Sequence, residues 1–264
     1  FAFQLGGHVH DDLNESSQTG FDDFNMRNTN YGLGNTYTFQ IDYVHPVSKK
    51  IKIEIGSKYI DRYHSADYET IDILADIIDT ERTDVFNYDQ KVLATYLSSN
   101  LELPKDFSLV LGVRHEGTET SGNYEIRDDL LEKNTYNNIL PSFVLSKKIG
   151  FAQTLKLAFT SRINRPDMHY TNPNRISLDS KNITIGNPNL DPEKTQQIEL
   201  GFSNFMPGLM TNMSLYYKKR DDVIESFITL AGDTSITNYY NIGENSSFGF
   251  DFFGNVKIRK KLNL

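Results

Sequence analysis

Apolar and polar side chains alternate at every second position in many short stretches of this chain. TYTFQIDYV at residues 36–44 has this pattern, and so do IKIEI at 51–55 and LKLAF at 155–159. Successive side chains of a β-strand point to opposite faces, so each stretch predicts a strand with one apolar face and one polar face. About ten such stretches follow one another without a long helical pattern between them, which favours antiparallel strands over a parallel βαβ arrangement.

The predicted connections between these strands alternate between short and long. Short turns are expected near Pro46, Pro104, Lys148 and Pro207, and long polar connections near Asp11, Asp67, Thr120, Asn174 and Thr229. A β-sandwich has no reason to sort its connections by length, whereas a transmembrane barrel has short periplasmic turns and long extracellular loops. The alternation therefore predicts an all-β fold of antiparallel up-and-down strands that form part of a transmembrane β-barrel.

The polar sides of these strands are expected to face the lumen of such a barrel. The residues concerned are Gln40, Asp42, Lys52, Glu54, Lys156 and Glu199. Polar groups in a lumen need water, one another or a plug to satisfy their hydrogen bonds.

One segment departs from the strand pattern. Ile71, Leu74, Ile77 and Ile78 recur at helical spacing, which predicts a short amphipathic helix within a polar connection.

The composition excludes several classes of function. The chain has 264 residues, a formal net charge of −8 and no cysteine. The absence of cysteine removes disulfides, thiolate metal sites and thiol nucleophiles, and the acidic balance argues against a nucleic-acid partner. No stretch approaches the roughly 20 apolar residues of a transmembrane helix, but a barrel needs only alternate residues to face lipid.

The longest connection and its flanking strands carry the most distinctive motif. SRINRP ends one strand at residues 161–166, Asn-Pro follows at 172–173, GNPNLDPE at 186–193, and QIELG at 197–201 lies in the next strand. Further patterns are F-x-Y and A-x-Y within residues 86–96 and N-x-G followed by G-F within residues 241–250. Together these motifs resemble TonB-dependent outer-membrane receptors, and more closely the receptor-barrel family common in Bacteroidetes. The resemblance spans most of the chain and is strongest at residues 86–103, 161–201 and 239–253.

The resemblance implies a transporter of which residues 1–264 are one partial barrel domain, with the plug domain and both natural chain ends lying outside this sequence. The whole barrel would have about twenty-two strands, the plugged class. It would take up a scarce nutrient such as an iron chelate, a vitamin, a glycan or a peptide, captured by extracellular loops and above all by residues 164–194. The implied partners are the outer-membrane bilayer, TonB acting through the plug, the nutrient ligand and a surface lipoprotein, with no cofactor.

Three groups of residues are candidates for a site. His8, His10, Asp11 and Asp12 could bind a metal such as Zn or Cu, or could form a solvated strand end. Arg162 and Arg165 could hold an anionic ligand through bidentate hydrogen bonds, or could form salt bridges within the wall. The family motif is expected to set turn geometry and to be structural; its residues are Arg165, Pro166, Gly186, Asn187, Pro188, Asn189, Leu190, Pro192 and Glu193.

Two acid–base pairs raise the alternative of an outer-membrane hydrolase: His115 with Glu116, and Asp61 with His64. No nucleophile motif and no phosphate-binding glycine loop accompanies them, so the chain is expected not to be an enzyme. Two further alternatives stay open at this point: a passive porin or structural barrel without energy coupling, and a soluble β-sandwich binding module.

Overall fold

The computed structural model describes residues 2–19, 25–80, 82–126, 130–177, 181–259 and 262–263, with the side chains of residues 2–19, 25, 130–132, 177, 258–259 and 262–263 left undescribed. Ten long strands dominate these residues: β1 (Ala2–Thr19), β2 (Asn25–Ser48), β3 (Ile51–Asp72), β5 (Asp84–Leu103), β6 (Phe107–Tyr124), β7 (Leu130–Ile149), β8 (Gln153–Asn164), β11 (Glu193–Met206), β12 (Leu209–Ala231) and β13 (Thr234–Arg259). Five short elements accompany them: β4 (Ile77–Ile78), α1 (Met168–Thr171), β9 (Arg175–Ser177), β10 (Asn182–Ile185) and β14 (Leu262–Asn263). No helix in the described residues is long and apolar enough to cross a membrane.

The long strands form one continuous antiparallel sheet in which each strand pairs with the next along the chain. The order is β1, β2, β3, β5, β6, β7, β8, β11, β12 and β13, and β10 adds to the far edge of β13 in parallel. Strands β8 and β11 pair directly although residues 165–192 separate them, as expected for a hairpin with a very long loop. A sandwich would split these strands between two packed sheets, so the soluble sandwich alternative is wrong.

The register of the sheet collects apolar side chains on one face, which we call the apolar face. Phe143 of β7 lies opposite both Leu111 of β6 and Phe159 of β8, and Phe159 lies opposite Ile198 of β11. Ile198 in turn faces Tyr217 of β12. Ile198 is 44% exposed and Tyr217 is 45% exposed. Soluble monomers rarely expose apolar patches larger than a few hundred Å², so a face with such continuous rows requires an apolar environment.

The opposite face, which we call the polar face, carries hydrogen-bonded and ionic side chains. The Tyr96 hydroxyl of β5 contacts the carboxylates of Asp42 on β2 and Glu54 on β3. Farther along the sheet, Lys156 Nζ of β8 lies 3.1 Å from Glu199 Oε1 of β11. These polar groups therefore satisfy one another across neighbouring strands, on the face that the sequence predicts for a lumen.

Short turns close one end of the sheet, the turn end. Pro104, Lys105 and Asp106 connect β5 to β6, and Pro207 and Gly208 connect β11 to β12. Gly208 has a φ of +87°, a backbone conformation that favours glycine. The first turn differs from the prediction: Pro46 still pairs with Lys52, and the chain reverses later, at residues 49–50.

At the other end, the loop end, most of the predicted long connections are wrong. Asp11, Asp67 and Thr120 lie within β1, β3 and β6, and the segment near Thr229 is part of β12, which joins β13 through residues 232–233 alone. Beyond the apolar rows, both faces of a strand meet water, so the alternation of side chains fades. The backbone ladder between neighbouring strands continues regardless, and it keeps these polar segments extended.

The amphipathic helix predicted over Ile71–Ile78 is also wrong. Strand β3 continues to Asp72, which pairs with Met26 of β2, and β4 then folds back along β3. The Asp72 carboxylate accepts hydrogen bonds from the backbone N–H groups of Leu74 and Ala75, 2.9 and 3.1 Å away. Sheet pairing therefore overrides the helical spacing, and a single turn forms in its place.

Candidate ligand-binding site

Residues 165–192, which we call the long connection, contribute the site through their described parts, residues 165–177 and 181–192. The long connection leaves β8 at the loop end and folds over the polar face instead of extending away from the sheet. Met168 packs against a buried aromatic cluster of Phe86, Tyr88 and Tyr124. The other end of the long connection adds β10 to the edge of β13. The long connection therefore reaches across the polar face from β3 and β5 to β13.

Asn172 is the hydrogen-bonding centre of the long connection. Its amide group donates to the Tyr68 hydroxyl of β3 at 2.7 Å, and its side-chain oxygen accepts from the backbone N–H of Asn174 at 2.9 Å. Its backbone N–H donates to the Met168 carbonyl and its carbonyl accepts from the Gly186 N–H, both at 2.9 Å. Asn172 is buried, so these bonds replace the water that its polar atoms lose.

Two segments of the long connection approach each other so closely at Gly186 that this position requires glycine. A β-carbon at this position would lie 2.8 Å from the carbonyl carbon and the amide nitrogen of Asn172, and closer still to its carbonyl oxygen. Only glycine leaves room for this backbone contact.

The second half of the motif joins the long connection to β13. Asn187 donates from its side chain to the Tyr239 carbonyl at 3.0 Å, and its side-chain oxygen accepts from the Asn189 N–H at 3.0 Å. Asp191 and Asn241 bond reciprocally, because the Asp191 N–H donates to Asn241 Oδ1 at 2.9 Å and Asn241 Nδ2 donates to the Asp191 carbonyl at 2.8 Å. The motif at residues 241–250 and the motif at residues 186–193 are thus in direct contact.

Glu193 closes the long connection at the start of β11. Its carboxylate accepts the backbone N–H of Ile224 at 3.0 Å and the Asn164 amide at 3.3 Å, with Arg220 Nη1 4.0 Å away. The Ile224 N–H lies at a bulge where the pairing of β12 with β13 shifts register. Glu193 therefore satisfies a donor that this irregularity would otherwise leave without a strand partner.

We expect Glu193→Ala to lower the free energy of unfolding by about 1–3 kcal/mol, because the half-buried Ile224 N–H loses its acceptor, the buried Glu193 carboxylate. Urea unfolding of the intact protein in detergent micelles measures the change. Glu225→Ala, which removes an exposed carboxylate from the same region of β12, is the matched control and should stay within about 0.5 kcal/mol of wild type. Equal stability of the two variants would contradict this role of Glu193.

A cleft of about 420 Å³ lies between the start of the long connection and the polar face of β2, β3 and β5. Its lining includes Arg62, His64, Gln90, Arg165 and Asp167. Arg62 donates from Nη1 to Gln90 Oε1 at 2.7 Å, and Gln90 itself is buried. Asp167 accepts from the N–H of His169 at 3.0 Å, as the N-cap of α1.

Arg165, one of the two predicted anion-binding arginines, is held against β6. Its guanidinium contacts the buried carboxylate of Glu116 and donates from Nε to Thr118 Oγ1 at 3.0 Å. Arg114 contacts the other oxygen of the same carboxylate. One carboxylate therefore serves two arginines, and the cluster keeps an excess of positive charge.

Two guanidinium groups supply positive charge to the lining of this cleft. They belong to Arg62 on β3 and to Arg165 at the start of the long connection.

The remaining predicted residues do not join this cluster. Arg162 is exposed on the polar face, opposite Thr195 of β11, and makes no ion pair with any described residue. His8, His10, Asp11 and Asp12 lie in β1, where side chains are outside the described part, so metal binding there stays a prediction. Among the side chains described elsewhere, no group of three or more His, Asp or Glu residues could hold a metal ion.

Neither predicted acid–base pair is brought together. His115 and Glu116 are adjacent in β6 and therefore point to opposite faces of the sheet, as do Asp61 and His64 in β3. Glu116 is engaged by arginines, and Asp61 accepts from the Tyr59 hydroxyl at 3.3 Å.

Comparisons with known proteins agree with this architecture. The outer membrane protein beta-barrel family matches residues 8–264, while no curated protein sequence matches the chain.

The solved structures with a similar fold include the following three transport proteins. The ferric citrate transporter FecA is 13% identical with a TM-score of 0.66, over 96% of this chain and 36% of FecA. The ferric yersiniabactin uptake receptor FyuA from Yersinia pestis is 10% identical with a TM-score of 0.64, over 98% of this chain and 38% of FyuA. The copper transporter OprC is 13% identical with a TM-score of 0.66, over 98% of this chain and 40% of OprC. This chain therefore spans less than half the length of each, and the likeness is one of fold, a portion of a large outer-membrane β-barrel.

Proposed function

Because this chain belongs to the outer membrane protein beta-barrel family, and so lies in the outer membrane of a Gram-negative bacterium, we propose that it is part of a TonB-dependent receptor for energy-coupled uptake of a scarce nutrient. In such a barrel the apolar face contacts lipid and the polar face lines the lumen. The nutrient would be an iron chelate, a vitamin, a glycan or a peptide fragment.

The observation that carries the proposal is the position of the long connection. It folds over the lumen side of the wall at the loop end and encloses a charged cleft there. A ligand that enters from outside the cell would meet the long connection before it could pass along the wall. The structures that share this wall include a ferric citrate transporter, a ferric yersiniabactin uptake receptor and a copper transporter, which supports a role in uptake.

The proposal includes partners beyond this chain. Further strands would complete a barrel of about twenty-two strands, and a plug would fill its lumen. TonB would act on that plug to couple inner-membrane energy to transport, and a surface lipoprotein would cover the loop end. Catalysis is not part of the proposal, because strand alternation separates both acid–base pairs.

Uptake in living cells tests the proposal. The intact protein is expressed in a Gram-negative host that lacks its own receptors, and accumulation of labelled candidate nutrients is compared with and without a functional TonB. We expect uptake that is saturable and is lost when TonB is absent or the proton gradient is collapsed. Uptake that persists without TonB, together with rapid passage of unrelated sugars into liposomes that contain the protein, would establish a passive porin instead.

A further inference from the structure

The cleft at the loop end contains an arginine that has no acidic partner among the described residues. Arg62 is half-buried on the polar face of β3, and its one described side-chain hydrogen bond is to the neutral amide of Gln90. A guanidinium has five N–H donors, so most of those of Arg62 are free to bind another group. A partly buried charge without a counter-ion is costly, which makes this position a place where an anion would be stabilised.

A second guanidinium faces the same cleft. Arg165 uses Nε for Thr118 and one terminal nitrogen for Glu116, and its other terminal nitrogen makes no described hydrogen bond. Asp167 also lines the cleft, but one of its oxygens accepts the N–H groups of His169 and Tyr170. Arg62, Arg165 and Arg114 carry three positive charges against the two negative charges of Asp167 and Glu116, so the cleft and the wall beside it keep an excess of positive charge.

The chemistry of this arrangement selects a class of ligand. A planar guanidinium fork matches a carboxylate through two parallel N–H···O bonds. We propose that Arg62 and Arg165 bind a carboxylate group of the transported molecule in this cleft. This inference deepens the proposed function, because it rests on the polar face being the lumen of an uptake receptor and adds the chemical group that is recognised.

Gln90 acts in this proposal as a positioning residue for Arg62. Its carbonyl oxygen accepts from Nη1 of Arg62, while its amide nitrogen donates to the hydroxyl of the buried Tyr88 at 3.5 Å, on the same face of β5. The amide is fixed by this buried neighbour, so it presents its oxygen to the guanidinium and not to the ligand. The cleft can therefore bind the anion with a preorganised arginine, which reduces the entropy lost on binding.

Calorimetric titration of the intact protein in detergent micelles tests the proposal, with succinate as the carboxylate probe and sucrose as the uncharged control. We expect succinate to bind and sucrose not to bind. Arg62→Gln should weaken succinate binding at least tenfold, and Arg62→Lys should weaken it less because the charge remains. Lys58→Gln removes one positive charge from the same face of β3 outside the cleft, so it should change binding less than twofold.

Two results would overturn the proposal: no succinate binding by the wild type, or equal binding by wild type and Arg62→Gln. If Arg62 instead pairs with a carboxylate from another part of the intact protein, the wild type will not bind succinate and Arg62→Gln will unfold at a lower temperature. Failure of the uptake proposal can be distinguished from failure of the carboxylate site. Uptake that does not require TonB, together with normal succinate binding, would refute energy coupling alone. TonB-dependent uptake without succinate binding would refute this site alone.

Discussion

Gly186→Ala is expected to release the long connection from the polar face. The added methyl group would collide with the backbone of Asn172, which cannot move aside as a flexible side chain could. Overpacking of this kind costs about 1–3 kcal/mol, and contact with backbone favours the upper end of that range. A loss of about 3 kcal/mol corresponds to a roughly hundredfold increase in the local opening of the segment. The rate of hydrogen exchange at the backbone amides of residues 165–177 and 181–192 measures this local opening directly.

Gly201→Ala is the matched control for that experiment. A β-carbon at Gly201 would lie 3.7 Å from its nearest neighbours, an ordinary van der Waals distance. We expect exchange in the long connection to match the wild type in this variant, and the global unfolding transition to change little in either variant. If exchange in Gly186→Ala were as slow as in the wild type, the backbone at Asn172 could relax to admit the methyl group. Position 186 would then not require glycine.

Glu116→Gln is expected to have the second large effect. The carboxylate of Glu116 is buried and contacts both Arg114 and Arg165, so the substitution leaves two guanidinium groups without their shared counter-charge. Loss of one partner from a buried ion pair costs about 3–5 kcal/mol, and we expect about 2–3 kcal/mol here because Arg114 is 41% exposed to water. Urea unfolding in detergent micelles measures the loss of stability. Hydrogen exchange near Arg165 should also increase, because Arg165 loses its charged contact with the wall.

Glu119→Gln provides the comparison on the same strand. Glu119 lies three residues beyond Glu116 on the opposite face, is 42% exposed and pairs with Lys133 at 2.6 Å. An exposed ion pair contributes at most about 1 kcal/mol, so this variant should be close to wild type. Equal losses in the two variants would mean that Glu116 has no special role in the cluster.

The fold could be predicted from the sequence wherever one face of a strand meets lipid and the other meets the lumen. There the alternation is strong, and residues 36–44, 51–55 and 155–159 all lie in strands as predicted. The prediction failed at the loop end, where Thr229 and Asp67 belong to strands that have water on both faces. Alternation reports a difference in environment between two faces, and it disappears where that difference does, although the backbone pairing persists.

The site could be predicted only in part. The motif pointed to Arg165 and Glu193, and it contained Asn172 without indicating its role. Glu116 was singled out only as an acid–base partner of His115, and Arg62 was not singled out. The roles of these three residues depend on contacts between distant segments. A signal for Arg62 was present, because even-numbered positions on β3 share the polar face of Glu54. Arg62 lies next to the long polar connection that the sequence predicts near Asp67, so the periodicity alone does not mark it as a strand residue.

The reach of the long connection has a geometric consequence for the barrel. From Tyr68 on β3 to Tyr239 on β13 the wall crosses seven strand spacings, an arc of about 34 Å at roughly 4.8 Å per spacing. The described residues of the long connection join the two ends of this arc through Asn172 and Asn187, and between them the Gly186 N–H donates to the Asn172 carbonyl at 2.9 Å. These contacts form the chord of the arc and limit how far the wall can flatten, so loss of the contact between Asn172 and Gly186 would let the arc open. The width of the outer rim would then depend on contacts within a loop as well as on the number of strands.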